Sequence, residues 1–357
     1  METEFSIAFV GTYYSPFLAA HYSDHPGLIS LPYQAQLDAL LGSSFGDSDF
    51  YSNGMRHQGW RAYEIIANCA PLQKMWAEEN RAPDIGVQTF VQQIAALKPD
   101  VVYFHDLSLA DSTVTQQLKG LVRLIVGQIA SPVPRTADIR SFDLIVSSFP
   151  HFVDAFQRAG IRSLYQPLAF DPRVLSRLGP RNPKHAATFI GGVTPNHQAR
   201  INLLSSICGV TRLDTWGYGY NQLPADSNIL RNYHGETWGH AMFTALRNSN
   251  LTLNSHIDVS STFANNMRLF EATGCGTLLL TEERENLRTL FRANEEIITY
   301  RSTQDCADKI QYFLRHEHEA TEIALAGQRR TLTSHTYLAR MAETAATLGR
   351  MLVRKSD

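Results

Sequence analysis

Residues 251–282 contain the side chains best suited to chemistry in this sequence. Arg268 and Glu271 lie three positions apart in a predicted helix, so they share one face, and Gly274 and Gly276 then allow a tight turn into the next strand. A carboxylate in that position can accept two hydrogen bonds from the hydroxyls of a ribose. The residues alone leave a second interpretation open, in which the two side chains form an ion pair on a solvated helix face.

A second group of residues follows a predicted strand at 187–190. Gly191 and Gly192 end this strand, a loop containing proline follows, and a helix begins near 196–200. The free N–H groups at the start of that helix, with His197 and Arg200, are suited to bind a phosphate. The segment lacks the G-K-[ST] sequence of a P-loop. A simple tight turn at the glycine pair is the alternative.

Candidates for a general base lie in the first half of the chain. His105 and Asp106 follow a predicted strand at its carboxyl end, the edge where open α/β sheets bind ligands. His21 and Asp24 are weaker candidates for the same role. A lone histidine is more often a packing group than a base, but the position of His105 at a strand end favours the two interpretations about equally, so both stay open. The D-x-D sequence at 47–49 has metal-site spacing, but a turn or helix-cap role is favoured there.

The elements that must position these side chains are strands and helices in alternation. Short apolar runs alternate with segments of helical period, a pattern typical of parallel sheets covered by helices on both faces. We predict strands at 6–10, 101–104, 121–126 and 144–146, and then at 187–190, 212–215, 251–253, 277–280 and 296–300. The stretch 179–184 has two prolines and a glycine and is predicted to be the linker between two doubly wound units.

The end of the chain is predicted to be helical. Residues 307–351 favour helix throughout, with interruptions expected at Gly327 and at 334–336. The last helix, about 337–352, has one apolar face, which we expect to cover a core. That face consists of Leu338, Met341, Ala345, Leu348 and Leu352. The alternative is binding to anionic lipid. Its basic residues are Arg340, Arg350, Arg354 and Lys355.

Composition excludes several classes of protein. With 357 residues, of which 44% are hydrophobic, the chain is long enough for two domains. The 32 basic and 34 acidic residues give a net charge of −2, which excludes a protein that coats nucleic acid. The four cysteines show no C-x-x-C spacing, and acidic residues near the start argue against a signal peptide, so we expect a soluble, cytoplasmic protein with free thiols. The glycine pairs lack the full dinucleotide fingerprint, which disfavours nicotinamide binding.

Several segments resemble CgeB-type, or spore-maturation-protein-like, glycosyltransferases of GT-B architecture. The most specific are N-N-M-R-L-F-E-A-T-G-C-G-T-L-L-L-T-E, the terminal S-H-T-Y-L-A-R-M, and F-I-G-G followed by H-Q-A-R. The first half adds S-F-G-D-S-D-F-Y-S-N-G-M, A-N-C-A-P-L-Q-K-M-W-A-E-E and K-P-D-V-V-Y. The resemblance implies an α/β fold of two Rossmann-like domains facing across a cleft. Residues 1–180 would form the acceptor-side domain and 181–335 the nucleotide-sugar domain, with a helix at about 336–357 crossing back to the first.

The resemblance also implies roles for particular residues. Glu271 matches the glutamate expected to hold the ribose hydroxyls. The donor-binding set it implies is Gly11, Gly191, Gly192, His197, Arg200, Asn254, Asn266, Arg268, Glu271, Gly274 and Gly276. Many retaining GT-B enzymes carry a second glutamate eight positions before the ribose-binding one, and here that position is Phe263. The resemblance therefore does not choose between retention and inversion.

Together these features predict a glycosyltransferase of glycan or glycoconjugate biosynthesis. It would move a sugar from a nucleotide-activated donor to a hydroxyl acceptor, either a glycan or a lipid-linked molecule, with peripheral contact to the inner face of a membrane and no nucleic-acid partner. Arg200, His197 and the helix start would offset the charge that grows on the departing diphosphate, so no metal or other cofactor is expected. The alternatives are a nucleotide-sugar epimerase and a non-catalytic nucleotide-sugar-binding protein of the same fold.

Overall fold

The protein consists of two compact units. A computed structural model describes residues 5–256 and 262–355. The first unit comprises Met1–Pro167 and Tyr337–Asp357, and the second comprises Leu168–Thr336. The division thus lies about a dozen residues before the predicted boundary at 180. The chain joins the second unit early because the N–H of Phe170 donates to the carbonyl of His335 at 2.9 Å, next to an isolated bridge between Phe170 and Thr336.

The first unit is built on a parallel sheet with the order β2-β1-β3-β4-β5-β6. Its strands are β1 (Ser6–Gly11), β2 (Arg61–Ile66), β3 (Val101–Phe104), β4 (Leu124–Gln128), β5 (Leu144–Ser147) and β6 (Ser163–Tyr165). The four inner strands match the predicted ones, although β4 begins three residues later than predicted. Sequence reasoning missed β2 and β6, which are the two edges. Edge strands need no continuous apolar run, and these two carry Arg61, Glu64 and Ser163.

Helices cover this sheet, and the last one belongs to the far end of the chain. They are α1 (Ser15–Asp24), α2 (Tyr33–Gly42), α3 (Phe50–Arg56), α4 (Ala70–Asn80), α5 (Thr89–Leu97), α6 (Ser112–Leu118), α7 (Pro150–Arg158) and α15 (Tyr337–Arg354). Helix α15 packs so closely on α3 that a Cβ atom at Gly54 would lie 2.6 Å from the Met341 side chain. Leu348 and Leu352 are fully buried, as predicted for a core-covering face, but Leu338 is 38% exposed. Tyr337 occupies the buried position instead.

Two of the basic residues considered for lipid binding are engaged within the first unit. Arg340 is buried, and its Nε donates to the Pro167 carbonyl at 3.1 Å. Lys355 Nζ lies 2.7 Å from Asp143 Oδ1. Arg350 and Arg354 are exposed. Among the helices of the described residues, none has both the length and the apolar character needed to span a bilayer.

The second unit has a parallel sheet with the order β11-β10-β9-β7-β8. Its strands are β7 (His185–Ile190), β8 (Asp214–Trp216), β9 (Ser249–Asn254), β10 (Leu278–Glu282) and β11 (Ile298–Tyr300). Its helices are α8 (Arg173–Arg177), α9 (Gln198–Val210), α10 (Gly239–Arg247), α11 (Arg268–Gly274), α12 (Leu287–Leu290), α13 (Thr303–Arg315) and α14 (Glu317–Ser334). All five strands were predicted. The prediction that Gly327 interrupts the helix was wrong. Gly327 lies inside α14, where an added Cβ atom would be 2.2 Å from the Glu296 carbonyl.

Candidate functional site

Arg200 ties together two loops at the carboxyl edge of the second sheet. From the first turn of α9 it donates to the Gly192 carbonyl at 2.8 Å, after β7, and to the Ser255 carbonyl at 3.0 Å, after β9. The side chain is buried, and its guanidinium lies over the Phe189 ring at 5.8 Å. Its buried Nε has no hydrogen-bond partner within residues 5–256 and 262–355. Arg200 therefore positions the loops, and part of its donor capacity is already used by backbone carbonyls.

Gly191 and Gly192 are required by close packing. Neither has a positive φ and neither lies in a hydrogen-bonded turn, so the tight-turn alternative does not describe them. A Cβ atom at Gly191 would lie 2.9 Å from the Phe189 ring, and one at Gly192 would lie 2.5 Å from Tyr218. The positive φ is at Gly217, where φ is +137° and an added Cβ would lie 2.1 Å from the Gly191 carbonyl. The loop after β8 thus presses against the loop after β7.

His197 has a local structural role at the start of α9. It forms a capping box with Thr194, whose backbone N–H donates to His197 Nδ1 at 3.1 Å. Because Nδ1 accepts this bond, the neutral ring carries its proton on Nε2. His197 is therefore held as a donor at the beginning of the helix.

Asn254 and Asn266 are joined beside this edge. Asn254 ends β9, and its amide donates to Thr281 Oγ1 at 2.9 Å. Its Oδ1 accepts from Asn266 Nδ2 at 2.7 Å. Among the residues that the structure describes, no group donates a hydrogen bond to the buried Oδ1 atom of Asn266. A buried polar atom of this kind is costly unless a ligand or water satisfies it, which makes Asn266 Oδ1 a candidate ligand contact.

Arg268 and Glu271 form the predicted pair, but away from solvent. Arg268 NH1 lies 2.8 Å from Glu271 Oε2, and the two side chains are only 14% and 8% exposed. The solvated-face interpretation is therefore wrong. A buried ion pair contributes little net stability, so the presence of this one in the first turn of α11 suits a binding role.

Gly274 and Gly276 follow this pair, and each position requires glycine for a different reason. Gly276 has a φ of +76° and makes the predicted turn into β10. Gly274 is instead the last residue of α11, and its added Cβ would lie 2.6 Å from the Phe170 ring.

Sequence reasoning missed Ser255, His256 and Glu282 at the same edge. Glu282 ends β10 and accepts from Ser255 Oγ at 3.1 Å, from the His256 N–H at 3.2 Å and from Arg284 NH2 at 2.7 Å. Burial lowers the pKa of His256 to about 4, so its ring is neutral near pH 7. A cavity of about 470 Å³ adjoins Glu282 and Arg284. The signal that could have found these residues is their position at the carboxyl ends of predicted strands.

In the first unit, His105 lies at the carboxyl end of β3, as predicted. Its ring stacks on Phe9 at 5.5 Å and meets the edge of Tyr51 at 4.6 Å. The Nδ1 atom lies 3.6 Å from Asp47 Oδ2. Burial lowers the pKa of His105, and the nearby Asp47 opposes that effect. The Tyr337 hydroxyl donates to Asp47 Oδ1 at 2.9 Å, so the start of α15 holds this carboxylate in place.

The other candidate bases of the first unit, Asp106, His21 and Asp24, lack an acidic partner placed like Asp47 in the described part of the chain. Asp106 caps the next short turn, accepting from Ser108 N at 2.9 Å and from Thr12 Oγ1 at 2.7 Å. His21 is buried on α1, where burial and then His25 lower its pKa. Asp24, at the end of α1, is exposed.

Gly11 ends β1, and a Cβ added there would touch His105 Cβ at 3.4 Å. Of the first-unit candidates, His105 thus has the surroundings best suited to a base, and Asp47 is the partner that sequence reasoning did not assign to it.

A buried carboxyl on β2 gives a pH-dependent prediction for the first unit. Burial raises the pKa of Glu64 to about 8, with a hydrogen bond from Ser52 opposing and Asp49 adding to the rise. Between pH of about 4.5 and 8 the unfolded chain releases a proton that the folded chain keeps, so the free energy of unfolding falls as pH rises. We expect Glu64→Gln to remove this contribution, so that its free energy of unfolding falls less with rising pH than that of the wild type, measured by urea unfolding at pH 5, 6.5 and 8. The exposed Glu343→Gln is the control, and equal slopes in all three proteins would contradict the prediction.

Comparisons with known proteins agree with the fold. Residues 199–346, less than half of the chain, match a family model described as glycosyl transferase-like. No curated protein sequence matches the chain. Among solved structures, sucrose-phosphate synthase from Thermosynechococcus elongatus is 12% identical with a TM-score of 0.59, covering 98% of this chain and 100% of its own.

Two further solved structures carry a nucleotide sugar. HepE from Anabaena, in complex with UDP-glucose, is 13% identical with a TM-score of 0.61, covering 97% of this chain and 99% of its own. An alpha-glucosyltransferase in complex with UDP-glucose and DNA containing an abasic site is 9% identical with a TM-score of 0.61, covering 97% and 100%. The chain thus has the GT-B fold, and its residues 199–346 are glycosyl transferase-like. These two findings confirm the expected glycosyltransferase class.

Proposed function

We propose that the protein transfers a sugar from a nucleoside diphosphate sugar to a hydroxyl acceptor, as a CgeB-type enzyme of glycan or glycoconjugate biosynthesis. The observation that carries the proposal is the buried Arg268–Glu271 pair, in the first turn of the helix that leaves the carboxyl edge of the second sheet. There, Glu271 would accept hydrogen bonds from the ribose hydroxyls. HepE, of the same fold, has been solved with UDP-glucose, which favours a nucleotide sugar as the donor.

The departing diphosphate needs positive potential. His197 Nε2–H, the N–H groups at the start of α9 and the remaining donor capacity of Arg200 would supply it. Gly192 has no side chain, so the loop after β7 can lie close to the loop after β8. The surface that the loop after β7 presents at Gly192 is therefore backbone. In this proposal no divalent ion takes part in the transfer.

The acceptor hydroxyl must lose a proton as the new bond forms. His105 would take it, and the negative charge of Asp47, whose Oδ2 lies 3.6 Å from His105 Nδ1, would favour the protonated ring that forms. Asp47 would thus be a positioning residue. For the acceptor we propose a glycan or a lipid-linked hydroxyl, and the exposed Arg350 and Arg354 are the basic residues that would approach a membrane.

A thermal-shift screen of the purified protein against UDP, GDP, TDP, CDP and CMP, with and without Mg²⁺, tests this function. A nucleotide present at 100 times its Kd adds about 2.7 kcal/mol of stability, so we expect one class to raise the Tm clearly. Incubation of the matching nucleotide sugar with acceptor, followed by product analysis, then separates transfer from epimerisation, which needs no acceptor. If none of these nucleotides raises the Tm of the protein, the result would contradict the proposal.

A further inference from the structure

We propose that His185, Asp214 and His234 form a binding site for Zn²⁺ or a similar divalent transition metal. His185 begins β7 and Asp214 begins β8, so these two residues lie at the amino-terminal ends of their strands, opposite to the edge where the donor site is proposed. His234 lies in the segment that bonds to β8 at Thr215. This inference does not depend on the transferase proposal. In the described residues, this is the group of histidine, cysteine and acidic side chains whose ligand atoms all lie within 4.8 Å of one another.

The distances suit a metal. His185 Nδ1 lies 2.8 Å from Asp214 Oδ2, and His234 Nε2 lies 3.2 Å from Asp214 Oδ1. Ligand atoms about 2.0–2.1 Å from a tetrahedral zinc are about 3.3 Å apart, so small side-chain movements would admit the ion. Two imidazoles and one carboxylate are a common protein ligand set for zinc, with water completing the coordination.

The side chains are held on rigid backbone. The ring of Trp216 stacks on His234 at 4.5 Å and meets the edge of His185 at 4.9 Å, which fixes the planes of both imidazoles. The N–H of His234 donates to the Thr215 carbonyl at 2.9 Å, so its segment is tied to β8. Ligands carried by strands and locked by neighbouring packing are preorganised for an ion.

The charge at the site also suits a cation. Asp214 is buried, and its carboxylate lies within hydrogen-bond distance of both imidazoles. Arg212 NH2 is 3.4 Å from Asp214 Oδ1, but its side chain is 73% exposed and can turn into solvent. Displacing Arg212 would leave one negative charge to face the metal.

The test measures metal binding by untagged, chelator-treated protein. We expect calorimetry to give one Zn²⁺ per chain with micromolar or tighter affinity, and Co²⁺ to give the visible absorption of a low-symmetry site. Zn²⁺ should raise the Tm of the wild type because it joins β7, β8 and the segment of His234. His234→Ala, at a 39% exposed position, and His185→Gln should each weaken binding by more than the roughly 100-fold that loss of a metal's supporting partner costs.

The control is His318→Ala. His318 is 89% exposed and pairs with Glu322 at 3.7 Å, so it measures adventitious binding by a surface histidine. It should bind Zn²⁺ like the wild type. Binding that is unchanged in His234→Ala and His185→Gln, or a wild type with no stoichiometric Zn²⁺, would overturn the proposal and leave these residues as a hydrogen-bonded network around Asp214.

Discussion

Glu271→Gln is expected to bind the donor nucleotide about 10- to 100-fold more weakly than the wild type. A hydrogen bond to a charged group contributes about 1.5–3 kcal/mol, and each 1.4 kcal/mol is a factor of ten in affinity. Glutamine keeps the size of the side chain but removes the charge that would hold two ribose hydroxyls. Calorimetry with whichever of UDP, GDP, TDP or CDP raises the Tm most would measure the loss.

Folding must be separated from binding, because Arg268 loses its charged partner in this variant. A buried charge without a partner destabilises a protein strongly. Glu296→Gln is the matched control: Glu296 is also a buried glutamate of the second unit, and Arg292 NH2 lies 3.0 Å from its Oε1. It precedes β11 at the amino-terminal side of the sheet. We expect it to lose stability while binding the nucleotide normally. Unchanged nucleotide affinity in a folded Glu271→Gln protein would remove Glu271 from the site.

His105→Ala is expected to lower kcat/KM about 10²- to 10⁴-fold, the range that a positioned general base contributes. The base must be neutral, so the rate falls as pH falls through its pKa. Because burial holds the pKa of His105 below its ordinary value of about 6.5, the acid limb should lie below that pH. Asp47→Asn removes a charge that raises this pKa, so it should lower the rate less than His105→Ala does and shift the acid limb to lower pH.

The shift of the acid limb distinguishes a positioning carboxylate from one that only supports the fold. His57→Ala serves as a control in the same unit, since His57 is exposed at the end of α3. Alanine at Asp106, His21 and Asp24 completes the set of candidates. If alanine at all four candidate positions kept the rate within a few-fold of the wild type, a side-chain base would be excluded.

The fold was largely predictable because buried parallel strands are continuous apolar runs. Residues 101–104 are fully buried and were predicted at their observed bounds. The edge strands β2 and β6 were not predicted, because a strand with one neighbour needs no continuous apolar run. Gly327 shows a different limit: a glycine inside a helix signals an interruption in the sequence, whereas in the fold it makes room for the Glu296 carbonyl.

Local sequence patterns were enough to predict most of the strands and helices, and the sheet edges at which functional side chains could gather. Periodicity and turn residues are local properties, so they predicted the strand ends that carry His105, Asn254 and Gly191. The Arg268–Glu271 pair was also local, because residues three apart in a helix meet whatever surrounds them.

Which distant groups meet, and which are buried, depends on how the folded chain packs. Asp47 and His105 are far apart in the chain, and their 3.6 Å approach depends on β3 and on Tyr337 of α15. His185, Asp214 and His234 converge only because β8 pairs with β7. The burial of Arg268 and Glu271 could not be predicted from the sequence either. It is this burial that makes the pair a candidate binding group rather than a surface contact. Contacts and burial are properties of the packed chain, since they depend on what the fold places against each side chain.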